Sequence, residues 1–132
     1  MKFLFEIVVL FTCCVIVTIA VDAEQAKSEC LTKLEITNEE YETARSAKFK
    51  NPTQKIKCFF DCFGKKVKFI SNSEIDADEI AKQYAALKEG LKPEDVKKII
   101  ATCKDKWLAP ADTSDCDKAY NFTFCLYDNL KI

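Results

Sequence analysis

Residues 57–62 read Lys57-Cys58-Phe59-Phe60-Asp61-Cys62, and this stretch sets the terms for the rest of the chain. Two cysteines four positions apart stand on one face of a helix with roughly parallel side chains, a poor geometry for bonding each other. Each must reach a different partner. Near the other end, Cys116 and Cys125 are nine positions apart. That spacing sets them half a turn out of phase and about 13.5 Å apart along a helix axis, so they do not pair either. Cys30 and Cys103 complete a set of six. Striking out both local pairs leaves ten of the fifteen possible connectivities open.

Two further cysteines, Cys13 and Cys14, lie in a leader. Lys2 is followed by an apolar run from Ile7 to Ala20 without a charge, ending in the small-residue sites Thr18-Ile19-Ala20 and Val21-Asp22-Ala23. A basic start, an apolar middle and a small-x-small end read as a secretory signal peptide over residues 1–23, cleaved after Ala23. The run is shorter than the roughly 20 residues a retained membrane helix needs, so stable membrane insertion is not expected. The mature domain is then residues 24–132, a single domain by length. Six cysteines in a short secreted chain imply a disulfide framework. Without histidine, and in an oxidising compartment, six thiols favour disulfides over a metal site. Neither metal nor cofactor is expected.

Removing Lys2, Glu6 and Asp22 equalises the 20 basic and 21 acidic residues of the whole chain, so the mature domain is neutral. Arg45 is its sole arginine. Phosphate-backbone recognition calls for clustered Lys and Arg with guanidinium forks, so no nucleic-acid partner is expected. Lys65, Lys66 and Lys68 form a small basic cluster that reads as solvated surface. Absence of histidine also removes histidine-dependent hydrolases. The acidic pairs Glu39-Glu40, Asp76-Asp78 and Glu94-Asp95 stand near helix starts, where capping and the helix dipole explain them, so the chain is read as no enzyme.

The mature part is helical by period and punctuation, with essentially no sheet expected. Thr37-Asn38-Glu39-Glu40 is a capping box. Asn51-Pro52 and Lys92-Pro93 each place proline at a first helical position. Gly64 and Gly90 stand where helices are expected to stop, and Ala109-Pro110-Ala111-Asp112 is the clearest loop. Apolar stripes at helical spacing run through Ile56, Phe59, Phe60 and Phe63; through Ile80, Tyr84, Leu87 and Leu91; through Val96, Ile99, Ile100, Cys103 and Trp107; and through Ala119, Phe122, Thr123, Leu126 and Leu130. Each stripe by itself reads equally well as plain core packing.

The cysteine intervals are 27, 3, 40, 12 and 8 residues. This pattern resembles the insect odorant-binding proteins of the pheromone- and general-odorant-binding type. Lys57 to Cys62 looks like that family's second-and-third-cysteine signature, and Cys30 followed by Leu34-Glu35-Ile36-Thr37 looks like its first helix and turn. The resemblance covers the mature chain. It implies an all-α fold of about six short helices around an internal apolar cavity, with interlocked disulfides Cys30–Cys62, Cys58–Cys116 and Cys103–Cys125. Family pocket positions carried over from the cysteines fall on Phe60, Tyr84, Ile100, Phe122, Thr123 and Leu126. Phe69, Ile70, Leu87, Leu91 and Trp107 are further wall candidates, and Thr123, Tyr84 or Tyr127 would offer a hydrogen bond to a ligand oxygen.

The implied function is a secreted carrier of odorants, pheromones or fatty-acid-like molecules in sensillar lymph, delivering them to an odorant receptor at the sensory neuron surface. A carrier on the same scaffold in saliva, venom, haemolymph or reproductive fluid is the alternative. A monomer or weak homodimer is expected. Two departures from the family stand out. Acid-triggered release through histidine is closed to this chain, and the segment after Cys125 is too short for the extra helix that fills the cavity in some moth proteins. Leu130 and Ile132 would at most fold over the mouth as a lid. Asn121-Phe122-Thr123 is a glycosylation sequon, expected to be poorly occupied because it sits between pocket residues and Cys125.

Overall fold

A computed structural model describes residues 23–108, 110 and 112–131 of the chain. The proposed leader, apart from Ala23, lies outside the described residues, as do Ala109 and Ala111 of the expected loop and Ile132 of the expected lid. Among the described residues six helices follow one another: α1 (23–33), α2 (Asn38–Ser46), α3 (Gln54–Lys66), α4 (Ala77–Leu87), α5 (Pro93–Trp107) and α6 (Asp115–Leu130). Between α3 and α4 the chain makes a two-residue antiparallel hairpin, β1 (Ile70–Ser71) and β2 (Glu74–Ile75), with Ile70 facing Ile75. Essentially no sheet was expected. This hairpin escapes notice because its turn is Asn72-Ser73 in the left-handed region, with no glycine to signal it.

Local chemistry explains the helix starts. At α2 the Thr37 hydroxyl accepts from the Glu40 amide (3.1 Å), and Glu40 accepts from the Thr37 amide (2.7 Å), closing the capping box. Pro93 opens α5. The start of α3 differs from expectation: Thr53, not Asn51, is the cap, its hydroxyl accepting from the Ile56 amide. Asn51 instead turns the chain with φ of 50°.

The helix ends differ more. Gly64 lies inside α3, where a Cβ would come within 2.8 Å of the Ile70 side chain, so glycine is there for close approach rather than to stop the helix. Helices α1, α2 and α3 instead end on left-handed Glu35, Lys48 and Lys68. In each case the next amide reaches back to a carbonyl five residues earlier: Ile36 to Leu31 (2.9 Å), Phe49 to Ala44 (2.8 Å) and Phe69 to Gly64 (2.8 Å). These are Schellman closures without glycine, and each delivers an apolar residue inward.

Three disulfides, Cys30–Cys62, Cys58–Cys116 and Cys103–Cys125, tie α1 to α3, α3 to α6 and α5 to α6. Helices α2 and α4 carry no cysteine. The interior is not one core but two. One cluster gathers Cys30, Leu31, Ile36, Phe49, Ile56, Phe59, Phe60, Ile70 and Ala119. The other gathers Ile80, Ala81, Tyr84, Val96, Ile100, Cys103, Phe122, Leu126 and Leu130. Trp107 packs against both. Leu130, which the sequence places inward, is the last residue of α6 and is buried in the second cluster, because the helix continues with its apolar stripe to that point.

Candidate ligand-binding site

The seam between the two clusters is not filled. It holds a cavity of about 120 Å³ with a predominantly apolar wall. Helix α3 contributes Phe59, Phe60, Phe63 and Gly64; the hairpin region contributes Phe69, Ile70 and Ile75. Ile80 and Tyr84 come from α4, Trp107 from α5, and Ala119, Phe122, Thr123, Leu126 and Tyr127 from α6. Tyr41 of α2 closes one side. Phe69 stacks on Tyr84 (5.9 Å between centroids), and Trp107 meets Phe122 edge-on (6.3 Å).

Of the wall candidates, Phe60, Phe69, Ile70, Tyr84, Trp107, Phe122, Thr123, Leu126 and Tyr127 are brought together here. Three are not. Leu87 is 82% exposed, because α4 ends at that residue and its buried stripe stops at Tyr84. Ile100 is buried in the second cluster, where the apolar face of α5 packs directly with residues of α4 and α6. Leu91 is half-buried against the same cluster, past the end of α4. Sequence reasoning missed Tyr41 and Ile75 altogether. Tyr41 sits on a helix with no buried residue, and Ile75 on the unforeseen hairpin. Phe59, Phe63, Ile80 and Ala119 were on the stripes, but nothing separated wall from core.

The cavity's polar groups are few. No carboxylate or amine lines it. Among the described residues the side-chain polar groups of Tyr41, Tyr84, Thr123, Tyr127 and Trp107 make no protein hydrogen bond, whereas Tyr120, outside the wall, donates to the Phe49 carbonyl at 2.6 Å. Burial pushes the Tyr84 phenol well above its ordinary range, with neighbouring Tyr127 adding to the effect. Tyr41 is raised by burial and then by Tyr127, and Tyr127 by burial. These phenols stay protonated and act as donors, not as acids or bases near neutral pH. Asn121 is exposed on α6, while Phe122 and Thr123 of its sequon face the cavity.

Six helices, four of them tied by disulfides, enclose an apolar chamber with a few spare hydroxyls, a geometry suited to holding a small apolar ligand. Residues 17–129 match the PBP/GOBP family, and the chain belongs to that family. General odorant-binding protein 56a of Drosophila melanogaster is 32% identical over 65 residues, a stretch covering 49% of this chain and 47% of that relative, about half its length. Among solved structures, odorant binding protein 5 of Apis mellifera has 28% identity and a TM-score of 0.59 over 81% of this chain and 84% of that one. Odorant binding protein 4 of Chrysopa pallens has 28% identity and a TM-score of 0.60 over 84% and 88%. The fatty acid binding protein OBP56a from the oral disk of the blowfly Phormia regina shares the fold, with a TM-score of 0.65 at 20% identity over 85% and 90%. No described helix is long and apolar enough to cross a membrane.

Proposed function

We propose that this chain is a secreted, non-catalytic carrier that takes hydrophobic small molecules with one oxygenated end, such as odorants, pheromones or fatty-acid-like compounds, and delivers them to chemosensory receptors. The apolar chamber between the two clusters, with its spare hydroxyls, is the observation that carries this reading. Tyr84, Thr123 and Tyr127 are the groups assigned to the ligand's oxygen. Cleavage after Ala23 releases the domain, sensillar lymph is its assigned compartment, and it works as a monomer or weak homodimer with Asn121 largely unglycosylated.

Magnitudes constrain the guest. Burial supplies about 0.8 kcal/mol per methylene, against at least about 4 kcal/mol lost on association. Micromolar affinity, about −8 kcal/mol, therefore needs about fifteen carbons or more. Ordinary ligand pockets run from about 300 Å³ upward, and a cavity of about 150 Å³ houses benzene. At about 120 Å³ the chamber as it stands holds a shorter guest than the energetics call for. Tight binding thus requires a wall to yield.

The test is displacement of the fluorescent probe N-phenyl-1-naphthylamine from the disulfide-intact mature domain by graded alcohols, esters and fatty acids. Displacement that strengthens with chain length is expected; none by any compound rejects the carrier. The mass of the secreted protein checks the cleavage site.

A further inference from the structure

The helices that wall the cavity are not held equally. Helices α3, α5 and α6 are joined to other elements by disulfides, and α4 buries Ile80, Ala81 and Tyr84. Helix α2 has no disulfide and no buried residue. Its hold on the molecule comes from Tyr41, packed edge-on against Phe59 at 5.1 Å, from Ala44, half-buried against the first cluster, and from the turn that follows. In that turn Lys48, Phe49 and Asn51 all have positive φ, 54°, 56° and 50°. For a bulky aromatic such as Phe49 this is a true outlier, so packing must hold it there. Phe49 is buried, with its ring 5.0 Å from Phe60, 6.0 Å from Tyr41 and 6.2 Å from Tyr127. All three lie in the cavity wall, and Phe49 stands directly behind them.

We propose that Phe49 is the end-stop of the chamber and sets the longest chain the protein accepts, with α2 and its turn as the wall that yields. The inference rests on the carrier reading. A guest too long for the resting space pushes between Tyr41, Phe60 and Tyr127 and displaces the one ring behind them that neither a disulfide nor a regular helix fixes. Moving that ring also lets the turn leave its left-handed backbone, so the displacement is favoured locally. The Tyr120 hydroxyl on the Phe49 carbonyl, at 2.6 Å, holds the turn in place until then.

The experiment measures displacement of N-phenyl-1-naphthylamine by straight-chain alkanols from about six to about sixteen carbons, where each methylene that finds room tightens binding about fourfold. Wild type, Phe49→Ala, Phe49→Leu and Phe49→Trp are compared, with disulfides intact and cooperative melting checked. Affinity is expected to climb and then level off at a length that grows in Phe49→Leu, grows further in Phe49→Ala and shrinks in Phe49→Trp. A levelling point common to wild type and every folded variant overturns the proposal while leaving the carrier standing. Should Phe49→Ala fail to fold, the leucine and tryptophan variants decide. Failure of wild type to bind any alkanol instead removes the carrier reading itself.

Discussion

Lys48 carries φ of 54° where a glycine would cost nothing in side-chain clash. A left-handed non-glycine residue loses roughly 1–2 kcal/mol, part of which glycine returns as extra freedom in the unfolded chain. Lys48→Gly is therefore expected to stabilise the domain by about 0.5–1 kcal/mol, read as a rise in melting temperature, with Glu35→Gly and Lys68→Gly acting alike. An unchanged or lower melting point would show that these lysines and glutamate contribute more than their backbone costs. Gly64→Ala runs the other way in function. Helix propensity favours alanine by about 1 kcal/mol, yet the new methyl would meet Ile70 at 2.8 Å and force that wall side chain to shift. Stability near wild type with several-fold weaker probe binding is expected. At this scale the chain was legible wherever chemistry leaves one option: the Thr37 box, Pro93, the parallel cysteines of one helix face. It was illegible where a residue takes a conformation its type disfavours, as Phe49 and Lys68 do.

Elements differ in how firmly they are held. Helix α6 buries Ala119, Phe122, Leu126 and Leu130 and carries two disulfides, so its stripe could be read from period alone. Helix α2 has a capping box but no buried residue, so its sequence fixed where it starts and said nothing of its place in the wall. The hairpin was invisible for a related reason: two residues per strand are too few for alternation to show. Tyr120→Phe, which removes the phenol's bond to the Phe49 carbonyl, is expected to cost about 1 kcal/mol. It should also speed amide exchange between residues 38 and 51 more than within α3 or α6. Uniform acceleration along the chain would mean that α2 is no more loosely held than its neighbours.

For the whole molecule, acidity and alkalinity bound stability from opposite sides. The Lys66 ammonium, with Gln25, holds Glu29 low; the Thr37 amide holds Glu40; Lys97 holds Asp78; and Ser114 with Lys57 holds Asp117. Groups lowered on folding stabilise above their unfolded values of 4.5 and 3.8 and stop doing so as pH falls through them. The buried phenols, raised on folding, stabilise below 10 and cease to as pH climbs past it. With no histidine in the chain, melting temperature and probe affinity should be level between about pH 5 and 8, with losses setting in only below the carboxylate value of 4.5 and above the phenol value of 10. A sharp loss of affinity near pH 6 would contradict this. Trp107, the single tryptophan, faces the chamber, so its emission should change when a guest enters. Loop lengths predict that opening any one disulfide costs roughly 3–4 kcal/mol, most for Cys58–Cys116, whose loop of 58 is the longest. Because the grease is parted into two knots that meet at one indole, exchanging a few side chains along the parting can resize the hollow and leave both knots tied. A scaffold built this way can change its cargo without having to relearn how to fold.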